Sequence, residues 1–392
     1  MTMMDGNSGL DASQGGTGEM AGVAVQPVNN KAAPQRRLSF NGSTEFQNEL
    51  RRRVEDYFAA TGAKKRDLPR MYAKSAIIMA STLIAYLLLV FAAQTWWQGL
   101  FLAIWLGVSM AGIGFNVMHD GGHDAYSENP RINRIMALAL DLIGGSSYLW
   151  RWKHSVIHHT YVNITGHDAD VDVGVFGRLT PHHKRLAFHR WQHIYLWPLY
   201  GFLALKWHFY DDFHDVLVGK IGSNPVPRPT GRNLLLFAGF KAAYFGLALV
   251  LPMFFHTWWV VLIYFALTDA VLGLVMAVVF QLAHVVEQAD FPQPSPQTGK
   301  MEQAWAVHQV ETTVDFARDN RLVSWLLGGL NFQVVHHLFP RICHVNYPAI
   351  SRIVEETCEE FGIRYNYHPS FTAGVVEHFR WLRKMGQPTS AV

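Results

Sequence analysis

The chain has 392 residues, 50% of them hydrophobic and only 16% charged, with a formal net charge of +3. Soluble domains carry about 25% charged residues, and here the apolar residues gather into long blocks, so a membrane domain is indicated and a wholly soluble one excluded. A net charge this small argues against nucleic-acid binding, and two cysteines, Cys343 and Cys358, exclude a disulfide framework.

Residues 1 to about 45 are rich in Gly, Ser, Asn, Gln and Ala without apolar periodicity, which predicts a disordered tail. They lack the charged and apolar regions of a cleaved signal peptide. Residues 46–392 read as one membrane domain. It opens with a basic helical stretch from Glu45 to Lys74, containing Arg51, Arg52, Arg53, Lys64, Lys65, Arg66 and Arg70, predicted to lie along the membrane surface on its apolar face.

Ser75 to Met118 contains no Asp, Glu, Lys or Arg. These 44 residues exceed the roughly 20 needed to cross a bilayer, and the polar, aromatic run Gln94-Thr95-Trp96-Trp97-Gln98 divides them. Two spans follow, near 75–93 and 98–118. A second hairpin is predicted near 234–255 and 258–281, divided by His256-Thr257-Trp258-Trp259. Both dividing turns hold a Trp pair and no Lys or Arg, whereas the N-terminal segment, residues 120–232 and the C-terminal region are rich in both. The positive-inside rule places the termini and the large middle region in the cytoplasm. Two further apolar stretches, about 134–150 and 194–207, are too short or too polar to cross and are predicted to lie in the interface under a cap. Lys241 and Asp269 fall inside the second hairpin at similar depths, about 15 and 13 residues from its turn. A lone intramembrane charge is costly, so the expectation is that they pair with each other. The fold class is therefore all-α and integral to the membrane: four transmembrane helices in two hairpins, with a helical cytoplasmic cap.

There are twenty histidines, none before His119. Three clusters stand out: His119-Asp-Gly-Gly-His123, His154-Ser-Val-Ile-His158-His159, and Gln333-Val-Val-His336-His337. His284 follows the fourth span. On a helix, positions i and i+4 share a face, so His119 and His123, and likewise His154 and His158, are expected to reach a common centre. His159, rotated by about 100°, would serve a neighbouring one. His182-His183 has no partner three or four positions earlier and reads as a decoy. All three clusters fall on the predicted cytoplasmic side, a topology obtained without using the histidines. Eight imidazoles, from His119, His123, His154, His158, His159, His284, His336 and His337, exceed what one tetrahedral zinc takes. They suit two metals, although imidazole itself does not choose among iron, copper, nickel and zinc. Asp120, Asp124, Asp168, Asp170 and Asp172 are candidates for orienting the rings.

The three boxes resemble those of the membrane fatty acid desaturase superfamily. Asn331-Phe332-Gln333-Val334-Val335-His336-His337-Leu338-Phe339-Pro340 is similar to the front-end desaturases and their bacterial, linoleoyl-CoA desaturase-like relatives. His119-Asp120-Gly121-Gly122-His123 and His308-Gln309-Val310-Glu311-Thr312-Thr313 point the same way. The resemblance covers about residues 50–385 and implies two non-haem iron ions held by the eight histidines, with His284 as the ligand after the last span. Gln333 stands where other branches have His, and it is expected beside a ligand or as one; Asn331 belongs with it. Members with a fused cytochrome b5 carry a His-Pro-Gly-Gly motif, which this chain lacks, so the expected electron donor is separate, such as a ferredoxin or free cytochrome b5. The implied location is a bacterial inner membrane with the active site cytoplasmic.

The implied activity is O2-dependent insertion of a C=C bond into an acyl chain carried on CoA, a carrier protein or a glycerolipid. Tyr148, Trp150, Trp152 and Trp305 could line the acyl tunnel, and Arg151, Lys153, Arg178 and Lys184 could meet a head group. The rivals are a related di-iron hydroxylase, acetylenase or ketolase and, from another class, a zinc membrane hydrolase or a metal transporter. Hydrolysis needs only about three histidines, and transport needs ionisable groups at the midplane, whereas these histidines cluster outside it.

Overall fold

A computed structural model describes residues 38–388. The predicted tail lies outside the described residues up to residue 37. Its last stretch is placed, with Phe40 bridged to Met301 and its ring 5.1 Å from that of His308. The principal helices are α1 (Glu45–Thr61), α2 (Pro69–Phe91), α3 (Trp96–Gly122), α4 (residues 147–161), α5 (residues 192–218, broken at Gly201), α6 (Gly231–Met253), α7 (Trp258–His284), α8 (Trp305–Glu311), α9 (Gln333–Leu338), α10 (Tyr347–Glu360) and α11 (Phe371–Gly386). Four of them, α2, α3, α6 and α7, are long and apolar enough to cross a membrane. They form two hairpins, α2–α3 and α6–α7. Two-residue strands add two small ladders: Lys220–Ile221 antiparallel to Asn224–Pro225, and Asp315–Phe316 parallel to Tyr367–His368.

Local chemistry sets the hairpin turns. Gln98 caps α3 by accepting from the backbone N–H of Gln94 and Thr95 at 2.9 and 3.1 Å. Trp96, Trp97, Trp258 and Trp259 are all more than half exposed at this end of the bundle, as interfacial anchors should be. Small residues then bring α3 against α7: a Cβ on Gly107 would sit 2.7 Å from the Thr268 carbonyl oxygen, and one on Gly99 would meet the Tyr264 ring at 2.4 Å. Close backbone approach is the usual basis of helix packing where lipid removes the hydrophobic drive.

Three expectations need correction. First, α1 does not lie on the membrane. Its apolar stripe, Phe46, Leu50, Val54 and Phe58, is buried against Val334, Val335, Ile350, Val354 and Cys358 of α9 and α10. The same i, i+4 stripe serves a lipid surface or a protein core equally, and Gly62, left-handed at φ 64°, turns the chain away before α2.

Second, the stretch 194–207 does not stay in the interface. Gly273 of α7 is packed so closely that a Cβ there would lie 2.8 Å from the Gly201 carbonyl oxygen. Gly273 is 11 residues from His284, or about 16 Å along the helix, so α5 descends well into the bundle. It turns Phe202, Phe209 and Leu217 outward, at 59, 51 and 74% exposure, and buries His208 and Asp212. The stretch 134–150 reaches in as well, since the Gly144 carbonyl accepts from Lys241 Nζ at 2.6 Å.

Third, Lys241 and Asp269 do not pair with each other. Lys241 Nζ lies 2.7 Å from Asp212 Oδ2. Asp269 accepts from His208 Nδ1 at 3.0 Å and from the Tyr244 hydroxyl at 3.2 Å. The two residues match in depth, but α5 brings its own complementary groups between the two helices, and each side chain finds a partner on the inserted segment.

Candidate metal centre

The inner ends of α3 and α7, together with α4 and α9, enclose a chamber lined by imidazoles. Each box is placed by a different local device. Residues 113–118 of α3 wind as a π turn before His119, and Asn116 Nδ2 bridges the Gly112 and Leu326 carbonyls at 2.9 and 3.1 Å. The two glycines between His119 and His123 are required by close approach: a Cβ on Gly121 would stand 2.7 Å from the backbone nitrogen of Ala137, and one on Gly122 would meet the Trp150 ring at 2.3 Å. The third box is set by Gly328 and Gly329, both left-handed at φ 61° and 70°. A Cβ on Gly328 would fall 2.2 Å from the Phe115 carbonyl oxygen, so only glycine lets this turn lie against α3 and deliver α9 to the chamber.

All eight predicted histidines meet there. One nitrogen each from His119, His123, His154 and His336 lie within 4.8 Å of one another, and so do those of His158, His284 and His337. His159 stands between the groups: its Nε2 is 3.2 Å from that of His154, and it also clusters with His336 and His337. Nitrogens bound at about 2.1 Å to a common metal stand roughly 3 to 4.2 Å apart, so the spacing needs only small adjustment. His154 and His158 separate into different groups, against the i, i+4 expectation. Residues 151–158 form a π segment with i→i+5 bonding, and it is His159, five residues on, that approaches His154. His182 and His183 lie outside the chamber; His182 Nε2 donates to the Phe291 carbonyl at 2.7 Å.

The donor set fits a metal. His158, His336 and His337 direct Nδ1 to protein partners, namely Asp168 Oδ2 at 3.0 Å, the Tyr347 hydroxyl at 3.3 Å and Gln309 Oε1 at 2.9 Å. Their Nε2 atoms, with Nε2 of His123, Nδ1 of His159 and both nitrogens of His284, are buried without a hydrogen-bond partner. Orphaned buried polar atoms are rare unless something binds them. Burial holds His123, His154, His159, His336 and His337 well below the ordinary imidazole range, the neutral form that metal ligation requires. His158 is the exception: burial opposes its charging, but the Asp168 and Asp170 carboxylates outweigh this and raise it.

The neighbouring polar residues divide. Asp168 holds the His158 ring. Asp170 lies 3.9 Å from His158 Nδ1 and pairs with Lys153 at 3.0 Å, while Asp172 caps a turn at Gly174. Asp120 does not orient a chamber histidine; its Oδ2 accepts from His344 Nδ1 at 2.9 Å, and Lys74 Nζ stands 2.9 Å from His344 Nε2. Asp124 is a left-handed turn residue at φ 58°. Asn331 Nδ2 serves the Ala317 carbonyl and Ser324 Oγ, so it shapes the loop. Gln333 is buried at the start of α9 beside His284. Of the proposed tunnel aromatics, Trp150 walls the chamber, stacked 4.7 Å from His154. Trp305 Nε1 donates to the His159 carbonyl at 3.2 Å, Tyr148 to that of Pro227 at 2.9 Å, and Trp152 packs in a small cluster with Leu149 and Ile157. Sequence reasoning missed Tyr347 and the individual role of Gln309; neither sits beside a ligand in the chain, and only the second carried a signal, inside the 308–313 motif.

The fatty acid desaturase family model matches residues 94–369. The sn-1 linoleoyl-lipid 6-desaturase of Synechocystis sp. is 37% identical over 90% of this chain and 98% of its own length. That of Arthrospira platensis is 39% identical over 89% and 95%, and the acyl-lipid (8-3)-desaturase of Physcomitrium patens is 37% identical over 87% and 72%. With the family match spanning most of the chain and the boxes gathered into one chamber, the protein belongs to the fatty acid desaturase family.

Proposed function

We propose that this desaturase, an oxidoreductase of the membrane, holds two iron ions in the histidine chamber and acts on acyl chains esterified in lipids. One observation carries the reading: eight imidazoles converge from four elements, and six of them keep a buried nitrogen without a hydrogen-bond partner. Eight imidazoles exceed what a single tetrahedral zinc takes and would suit two ions, and membership of the desaturase family supports iron as their identity. When bound, such a pair would supply the oxidising power that acid–base side chains lack, so that two hydrogens leave adjacent methylenes and, with O2, two electrons and two protons, end as two waters.

The residues of the chain do the rest. Asp168, Gln309 and Tyr347 hold three rings by Nδ1, so that Nε2 points into the chamber. Trp150, edge-on to His119 and His123 and stacked on His154, screens the histidines from water and gives an acyl methylene an apolar wall. The esterified substrate is inferred from the relatives, which are acyl-lipid and linoleoyl-lipid desaturases by name. The electrons are proposed to come from a separate donor such as a ferredoxin or free cytochrome b5. The Trp-rich, Lys/Arg-free turns support a chamber on the cytoplasmic side.

The test is metal analysis of the purified protein together with mass spectrometry of lipids from cells producing it. Two irons per chain and acyl chains lighter by 2 Da are expected, both lost in His336→Ala. A single zinc, or chains heavier by 16 Da, would overturn the iron or the desaturation reading respectively.

A further inference from the structure

A cavity of about 840 Å³ lies between the two hairpins, running from their Trp-rich turns as far as Ile113, six residues before His119. We propose that it is a lipid site separate from the metal chamber, taking one acyl chain of a bilayer glycerolipid from the outer leaflet. The proposal rests on reading α2, α3, α6 and α7 as spans. Its volume is in the range of small-molecule pockets, roughly 300–1,000 Å³.

The walls are apolar, among them Met79, Met110, Ala248 and Phe265. A buried water needs about two to four polar partners, and polar groups in the walls are already taken: the hydroxyls of Thr82, Tyr264 and Thr268 donate to the carbonyls of Ile78, Trp96 and Ala103. At the floor Asp269 and Tyr244 are already hydrogen-bonded to each other, and both reach His208. The cavity is also held open. Tyr86 donates to the Leu247 carbonyl at 2.7 Å, His256 Nε2 meets the Val90 carbonyl at 2.7 Å, and Phe91 packs edge-on to Phe255 at 4.9 Å. These bridges fix the distance between α2 and α6, while glycines pin α3 to α7.

Its shape points to an acyl chain. Lining residues Leu83, Leu247 and Ile263 are 57, 50 and 55% exposed on the lipid-facing surface, so the cavity is continuous with the membrane interface. Its rim holds Gln94, Thr95 and Thr257, polar groups at the level of the Trp pairs, where ester and glycerol oxygens lie. On α7 the lining runs from Thr257 to Asp269, 12 residues and about 18 Å of helix, more than the about 15 Å of one leaflet's hydrocarbon, and on α3 it continues to Ile113, 17 residues beyond Trp96. None of the eight chamber histidines lines it. Met79 and Leu142 also line a smaller cavity of about 460 Å³, whose wall includes Val117, two residues before His119. The test therefore has to separate a resident lipid from the reacting chain.

The experiment uses the full-length, metal-loaded protein in nanodiscs of phosphatidylglycerol carrying a photoactivatable diazirine on one acyl chain. Peptide mapping after illumination is expected to place adducts on Met79, Ala248 or Phe265. Thr82→Phe and Ala248→Phe, which fill the cavity from opposite walls, should reduce those adducts at least tenfold, with metal content and double-bond position unchanged. Adducts absent from these residues in the unmodified protein would overturn the proposal without recourse to any variant. Filling variants that keep their metals but shift the double bond or abolish desaturation would overturn it too, by assigning the cavity to the substrate path. Loss of metals or of desaturation in the unmodified protein would instead count against the metal-centre reading.

Discussion

His158, His336 and His337 each commit Nδ1 to a different kind of partner, a carboxylate, a phenol and an amide. Removing such a partner releases the ring to rotate and typically weakens metal binding by about 10- to 100-fold. Gln309→Leu is therefore expected to lower iron affinity by that order while the fold persists, read as iron retained after dialysis against a graded chelator; unchanged retention would show that Gln309 merely fills space. Protonation works in the same direction. Five chamber histidines are held below their ordinary value by burial, so the unfolded chain binds more protons than the folded one as pH falls below about 6.5. Their contribution to stability is complete above that pH and lost below it, and the raised His158 offsets only part. The metal-free protein should melt at a lower temperature at pH 5.5 than at pH 7.5; a flat profile would contradict the burial of neutral rings.

Among elements, α5 is the most consequential. It enters the bundle with His208 and Asp212 facing inward and supplies the polar partners of Asp269 on α7 and Lys241 on α6. Breaking a buried ion pair on one side costs about 3–5 kcal/mol, whereas replacing both members with apolar groups is often neutral. Lys241→Ala should accordingly destabilise by about that amount, and Lys241→Leu combined with Asp212→Leu by much less, measured by denaturant unfolding in detergent. Equal losses in the single and double variants would mean that the pair carries no coupling. Asp269→Asn should leave the Lys241–Asp212 contact in place, because Asp269 answers to His208 and Tyr244 instead. The π segments before His119 and through His158 matter for a related reason. A single widened turn re-aims a side chain, and that sent His154 and His158 to different groups.

For the whole molecule, the orientation is open to direct labelling. Both native cysteines are fully buried, so their background with an impermeant maleimide should be low. Gln94→Cys, in the α2–α3 turn, is expected to label from outside intact cells. Lys300→Cys, in the loop after α7, should label only after lysis. The reverse pattern would invert the topology.

Much of this protein was legible in its sequence, because the bilayer imposes constraints that act along the chain. Apolar runs must be about 20 residues long, turns fall where charges and tryptophans allow, and the first histidine box and His284 sit at span ends. Each of these signals is local, and the four long helices and eight converging imidazoles follow from them. Tertiary structure decided what depends on which surfaces meet. The stripe of α1 could have faced lipid as readily as α10. Lys241 and Asp269 matched in depth, yet α5 intervened with better-placed partners. Tyr347 and Gln309 became ring holders only because α10 and α8 pack against α9. Those outcomes are set by contacts between residues far apart in the chain, for which spacing along a single helix carries no signal.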